Sequence, residues 1–261
     1  MTHQTALGTP RARRALRAAI AVAALGAALA APAPAPAAVL VELFTAHGCP
    51  YCPPAERLLS AMGTDPDLDE QVVPLAFHVD YWNSRSWNDR FSDAAWTQRQ
   101  AVYLDAVKST TRFTPHTVIG GSRQCNGADV KCIHAGVEAA ATRPQGTVSL
   151  AVTGGRDKLS VEVKAQPPAG SSTLEVMVAL YENDLEVEVK GGENAHKTLH
   201  NDYVVRRLER AFKLSGNAAR EGSVTIKLDG DWVRGHLGVA AFLQDPKTRE
   251  VFAATAMPLP D

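Results

Sequence analysis

Cys49 and Cys52 stand in the run Gly48-Cys49-Pro50-Tyr51-Cys52-Pro53-Pro54. Two thiols at this spacing can open and close a disulfide, one attacking and the other resolving the mixed disulfide. The same spacing also serves half a zinc site or a structural disulfide. The surroundings favour exchange. Val39–Thr45 is a nearly continuous apolar run, as a buried parallel strand would be, and a short Gly-containing turn and a helix start follow it. That order places Cys49 where unpaired backbone N–H groups and the helix dipole favour negative charge. The thiolate is the reactive form of cysteine, so Cys49 reads as the nucleophile and Cys52 as the resolving thiol.

Other residues carry chemistry of their own. Glu42 is the one charge inside the apolar run, and burial would raise its pKa. His47 can stabilise a thiolate as an imidazolium or sit in an exposed turn; an ordinary pKa near 6.5 favours the turn. Phe77-His78-Val79-Asp80-Tyr81-Trp82 precedes Trp87, Phe91 and Trp96, so three of four tryptophans fall within 15 positions. Trp96 reads as core; Trp82 and Trp87, among polar residues, read as surface groups able to grip a partner. Cys125 and Cys132 are separated by six residues, a spacing that suits a structural disulfide better than zinc.

The elements that must position these groups alternate at first. After the strand at 39–45 comes a helix over 53–62, where Pro53 and Pro54 are tolerable only in a first turn. A second strand covers 72–79, a helix covers 94–107, and a hairpin joins strands at 117–119 and 122–125. A last helix runs from Asn126 to Thr142. From about Gly146 the pattern becomes short alternating strands at 148–152, 159–164, 174–181, 185–189, 224–228, 237–243 and 251–257, as in an antiparallel sandwich. Residues 202–214 fit strand and helix about equally and are read as strand. The polar stretches Gly191–His196 and His200–Asp202 read as a loop that either packs on the first domain or binds something.

Residues 1–38 do not read as part of the fold. Arg11, Arg13, Arg14 and Arg17 precede an apolar stretch from Ala18 to Ala30, then Ala28-Leu29-Ala30 and Pro-Ala repeats. The pattern predicts a secretory signal peptide, hence an oxidising compartment, secreted or periplasmic, where disulfides persist. No later segment is long and apolar enough to span a bilayer as a helix. The whole chain carries a net charge of −1; without the four leader arginines it carries −5. That balance argues against a nucleic-acid partner.

Val41-Glu-Leu-Phe-Thr45, Gly48-Cys-x-x-Cys-Pro-Pro-Ala55, Ala76-Phe-His-Val-Asp-Tyr-Trp82, Arg99-Gln100, Thr114-Pro115 and Gly191-Gly-Glu-Asn194 together resemble a secreted bacterial thioredoxin-like family of unknown function. The Cys-Pro-Tyr-Cys tetrad is similar to the glutaredoxin active site. The resemblance implies an α/β thioredoxin-like domain over 39–143, followed by an antiparallel β-sandwich-like domain over 144–261. It implies an exposed Cys49 and a cis peptide bond at Pro115. It also implies a substrate cleft formed by Pro50, Tyr51, Trp82, Thr114, Pro115 and His116. By the same resemblance Glu42 is either a buried proton relay to Cys52 or a half-exposed strand glutamate.

Two functions follow as expectations. One is an exported thiol–disulfide oxidoreductase working through Cys49 and Cys52 on protein or small thiols. It would need no cofactor and no metal, and its partners would be exported protein thiols or disulfides and an electron donor or acceptor. Neither nucleic acid nor, after leader removal, a membrane is expected as a partner. The other is a non-enzymatic thiol- or metal-binding module, in which Cys49 and Cys52 hold copper or zinc with His47, His78 or His116.

Overall fold

The protein is described from a computed structural model over residues 38–65 and 72–259. The expected leader lies outside the described residues except for Ala38. Strand β1 (Val39–Thr45) is buried at all seven positions. Its side chains alternate across the sheet. Val39, Val41 and Leu43 meet one apolar cluster and Leu40 and Phe44 another, so both faces need apolar residues.

The next elements are α1 (Cys52–Met62), β2 (Val72–His78), α2 (Ala94–Ala106), β3 (His116–Ile119), β4 (Arg123–Asn126) and α3 (Val130–Ala141). Ala55, Leu59 and Met62 of α1 and Ile133, Val137 and Ala140 of α3 cover one face of β1. Trp96 and Tyr103 of α2 cover the other, with Phe44 and Phe77. The Asp93 side chain accepts from the Ala95 N–H and starts α2. Helix α3 starts at Val130 and not at Asn126, because Asp129 accepts from the Cys132 N–H and caps it there. β1 runs parallel to β2 and antiparallel to β3. Gly120 and Gly121, with φ of +54° and +73°, turn the chain from β3 into β4.

The second half contributes β5 (Thr147–Gly154), β6 (Lys158–Gln166), β7 (Leu174–Glu182), β8 (Leu185–Glu188), β9 (Thr198–Asn201), β10 (Val204–Leu214), β11 (Arg220–Lys227), β12 (Leu237–Gln244) and β13 (Val251–Pro258). Here the expected architecture is overturned. There is no free-standing α/β thioredoxin-like domain followed by a separate sandwich. One mixed sheet of eight strands runs in the order β13-β12-β7-β10-β2-β1-β3-β4. Among the described residues, three α-helices accompany thirteen strands. The join is a parallel pairing of Val204 on β10 with Ala76 on β2, where the Ala76 N–H donates to the Tyr203 carbonyl at 2.8 Å. All described residues fall within one compact unit, and the sheet continues past the expected boundary near residue 143.

A three-stranded sheet, β11-β6-β5, lies over the outer end of the large one. Leu159, Val161 and Val163 of β6 share a core with Val176, Val178 and Leu180 of β7 and with Val239, Ala241 and Leu243 of β12. The alternate residues Ala179, Tyr181, Ala240 and Phe242 join the core beneath α2. Strands β7 and β12 are therefore buried on both faces. His200 and Asn201, expected in a loop, lie in β9, which pairs with β8 as a hairpin.

Candidate functional site

Two disulfides join Cys49 to Cys52 and Cys125 to Cys132, with Cα–Cα separations of 5.4 and 5.9 Å. The first closes across the start of α1. The Cys49 N–H donates to the Ala46 carbonyl, and the Cys52 N–H to the Cys49 carbonyl. Tyr51 is the N-cap residue, without a side-chain cap, and no acid occupies the first turn. The helix dipole therefore acts on the sulfurs unopposed. Backbone donors are few, however: Pro50, Pro53 and Pro54 have no N–H to offer.

The expected exposure of Cys49 is not found: both cysteines have a relative exposure of 0%. Tyr51, at 74%, is the exposed member of the tetrad, and Pro50 is half-buried. Two segments enclose the turn. The Asn194 side-chain amide donates to the His47 carbonyl and to the Cys49 carbonyl, each at 2.8 Å. Gly191, in the same loop, lies so close to Ser86 that a Cβ there would sit 2.2 Å from its carbonyl oxygen. The polar loop 191–196 thus packs on the cysteine turn. On the other side the Trp82 backbone lies against Gly48, where a Cβ would meet the Trp82 carbonyl at 3.0 Å.

Trp82 also connects the expected cleft residues. Its indole N–H donates to Thr114 Oγ1 at 2.7 Å, and the Thr114–Pro115 peptide bond is cis. Pro115 lies within reach of Ala55 of α1 across Gly127, where a Cβ would meet both. His116 is buried, with Nδ1 facing Gln100 Nε2 and Nε2 facing Gln124 Oε1. Burial pushes its pKa down to about 4, so it is neutral and turned inward.

Glu42 is neither half-exposed nor free. It points beneath α2 and is fully buried. Arg99 Nε donates to its carboxylate at 2.7 Å and the Tyr103 hydroxyl donates to its other oxygen. Arg99 and Gln244 Nε2 also donate to the Tyr103 hydroxyl oxygen. Burial alone would lower the Arg99 pKa, but the Glu42 carboxylate raises it overall. A carboxylate so engaged is a structural ion pair in the core.

The buried carboxyl on the cysteine helix is Glu56, which sequence reasoning missed. It lies four residues after Cys52, on the same helix face, and accepts from Thr45 Oγ1 at 2.6 Å. Burial raises its pKa, as suits a group that stores a proton. The i, i+4 spacing from Cys52 is the signal that points to it.

His47 is buried, not exposed in a turn. It meets His78 and Asp89 in a cluster beside α1. His78 Nδ1 is 2.8 Å and His47 Nδ1 3.2 Å from the Asp89 carboxylate. Burial lowers His47 to about 4. His78 would also fall on burial, but the Asp89 charge and hydrogen bond raise it. Burial pushes Asp89 up, yet His78 and His47 hold it well below the usual carboxylate range. Trp87 is half-buried, its ring 6.1 Å from that of His47. Trp96 is core. Cys132 is half-buried and Cys125 buried, so the second pair staples β4 to α3.

The fold and site together define a mixed-sheet protein with a Cys-x-x-Cys disulfide enclosed at a helix start. Residues 40–244 match the family described as "Protein of unknown function (DUF1223)", and the chain belongs to that family. A protein from Agrobacterium tumefaciens, solved by structural genomics, is 28% identical, with a TM-score of 0.63 over 84% of this chain and 93% of that one. HBP35 of Porphyromonas gingivalis is similar in fold, with a TM-score of 0.64 at 16% identity over 85% of this chain and 75% of that one. No curated protein matches the chain. The two disulfides are compatible with an oxidising compartment. No helix among the described residues is long and apolar enough to cross a membrane.

Proposed function

We propose that the protein is an exported thiol–disulfide exchange protein whose redox centre is the Cys49–Cys52 pair. The observation that carries the reading is a disulfide spanning two residues at the start of α1, where the dipole stabilises a thiolate at Cys49. As an oxidant, the disulfide takes two electrons from a substrate dithiol. A substrate thiolate attacks Cys49, Cys52 leaves as thiolate and is protonated, and the second substrate thiol then displaces Cys49 from the mixed disulfide. The reverse direction needs a reduced donor thiol. Glu56 takes the proton-handling role expected of Glu42, because it is a protonatable carboxyl on the face of α1 that carries Cys52.

The enclosed sulfurs add one requirement. Exchange needs the loop around Asn194 or the segment at Trp82 to give way, and a protein substrate would enter beside Tyr51, Trp82, Thr114 and Pro115. The test is incubation of the oxidised protein with reduced glutathione and with a reduced peptide dithiol, followed by mass mapping. A mixed disulfide on Cys49 supports the reading. Inertness of this pair at concentrations that reduce a simple peptide disulfide contradicts it.

A further inference from the structure

The metal-binding alternative read from the sequence uses the two cysteines. The structure brings together a different donor set. His47 lies in the turn after β1, His78 ends β2, and Asp89 sits in the loop that leads to α2. All three are buried, and one ligand atom from each lies within 4.8 Å of the other two. Neither cysteine belongs to the cluster.

The hydrogen bonds around these side chains leave an opening that a cation would fill. Asn201 Nδ2 donates to the Leu199 and Leu185 carbonyls at 3.3 and 3.5 Å. Its Oδ1 is thereby turned towards His47 Nε2, 3.3 Å away. His47 therefore presents Nε2–H to Asn201, and in the neutral ring Nδ1 is a bare lone pair. That lone pair faces an Asp89 oxygen at 3.2 Å without a hydrogen bond. His78 Nδ1, by contrast, is hydrogen-bonded to Asp89 Oδ2 at 2.8 Å, through a proton that a metal ion would replace, and its Nε2 is buried on the far side without a partner. A lone pair facing a carboxylate is repelled unless a positive centre lies between them. Asp89 is already oriented, with its Oδ2 accepting from the His47 N–H at 2.9 Å and its Oδ1 from the Phe91 N–H at 3.0 Å. Polar partners that hold the far side of a ligand, as Asn201 holds His47 and backbone N–H groups hold Asp89, are typical of metal sites.

We infer that His47, His78 and Asp89 form a binding site for a divalent first-row transition-metal ion, of which zinc fits best. Two imidazole nitrogens and one carboxylate oxygen suit Zn²⁺. Bonds of about 2.0–2.2 Å in a tetrahedral site place ligand atoms about 3.3–3.6 Å apart. The present 3.2 and 2.8 Å separations need less than about an ångström of adjustment. The site ties β1 and β2 to the loop before α2, immediately before the cysteine turn. It requires no thiolate, so it stands or falls separately from the exchange reading.

The test uses the full mature chain with both disulfides intact. Zn²⁺ is titrated calorimetrically, and Co²⁺ is bound in parallel and followed by its visible spectrum. The expected result is one ion per chain, with a tetrahedral cobalt spectrum lacking thiolate charge transfer. Asp89→Asn should weaken binding more than about 100-fold. Asn201→Ala leaves all three ligands in place, removes the partner of His47 together with two long hydrogen bonds to the Leu185 and Leu199 carbonyls, and should weaken binding about 10–100-fold; it also keeps the test informative if Asp89→Asn misfolds. Absence of stoichiometric binding by the oxidised protein overturns the inference. So does unchanged affinity in Asn201→Ala, or binding that appears only after Cys49–Cys52 is reduced.

Discussion

Asn194→Ala should make the Cys49–Cys52 disulfide far easier to reduce. The Asn194 amide nitrogen donates two hydrogen bonds to the cysteine turn, to the His47 and Cys49 carbonyls, from a fully buried side chain whose Oδ1 accepts from Lys197 within its own loop. Each such bond is worth about 1 kcal/mol net, and up to about 3 kcal/mol if its partner is left buried and unsatisfied. Water entering the space left by truncation keeps the sum near the low end, about 2–3 kcal/mol. The loss falls on a local contact between loop 191–196 and the cysteine turn, so it raises the population of locally opened chains. At about 1.4 kcal/mol per tenfold, opening becomes about 30–100-fold more frequent. If reductant reaches the sulfurs through that opening, reduction accelerates by a similar factor. The assay is reduction by dithiothreitol, quenched with an alkylating agent and resolved by peptide mapping. The Cys125–Cys132 pair serves as internal control and should keep its rate. A variant with a lowered Tm and an unaltered Cys49–Cys52 reduction rate would refute control of access by this loop.

Further outcomes follow from the same structure. Arg99→Met should destabilise the fold by about 3–5 kcal/mol, read as a fall in the denaturant midpoint, because it strands the buried Glu42 charge; a loss below about 1 kcal/mol, as for an exposed pair, would contradict the pairing. His116→Gln should flatten the pH dependence of stability. Above about pH 6.5 the histidine is neutral in both states. From there down to about 4 the unfolded chain binds a proton that the folded one does not. Wild type therefore loses up to about 3 kcal/mol over that range that the variant keeps, at about 1.36 kcal/mol per pK unit, and parallel curves would exclude a neutral buried His116. Cys132→Ser should lower Tm while sparing exchange at Cys49–Cys52, since its short loop contributes somewhat less than the roughly 3 kcal/mol expected of a 15-residue loop. Glu56→Gln should slow exchange near neutral pH, whereas rates unaltered across the pH range would remove its proton-handling role.

The elements were legible where local pattern decides them. The run at 39–45, the alternation at 159–164 and the prolines opening α1 each carry a local physical cause, and the corresponding elements are present. The ambiguous 202–214 stretch holds the strand β10, because its residues pair along the length of β7. What no local pattern carries is the pairing of Val204 with Ala76, a contact across 128 positions that turns two expected domains into one sheet. The same limit explains the site. The position of Glu42 is visible in the sequence, but its partner Arg99 lies 57 residues away. His47 reads as a turn residue because Asp89 and Asn201, which bury it, come from distant segments. Glu56 and the shortage of backbone donors at the start of α1 are within local reach, through an i, i+4 spacing and three missing N–H groups.

Whether Cys49–Cys52 is a working redox pair is tested most directly with Cys52→Ser, reduced and exposed to a disulfide-bearing peptide. The predicted result is a stable mixed disulfide on Cys49, with alkylation of that thiol persisting below the ordinary cysteine pKa of about 8.5. No covalent adduct on Cys49, together with alkylation no faster than that of a free cysteine near pH 6, would contradict it.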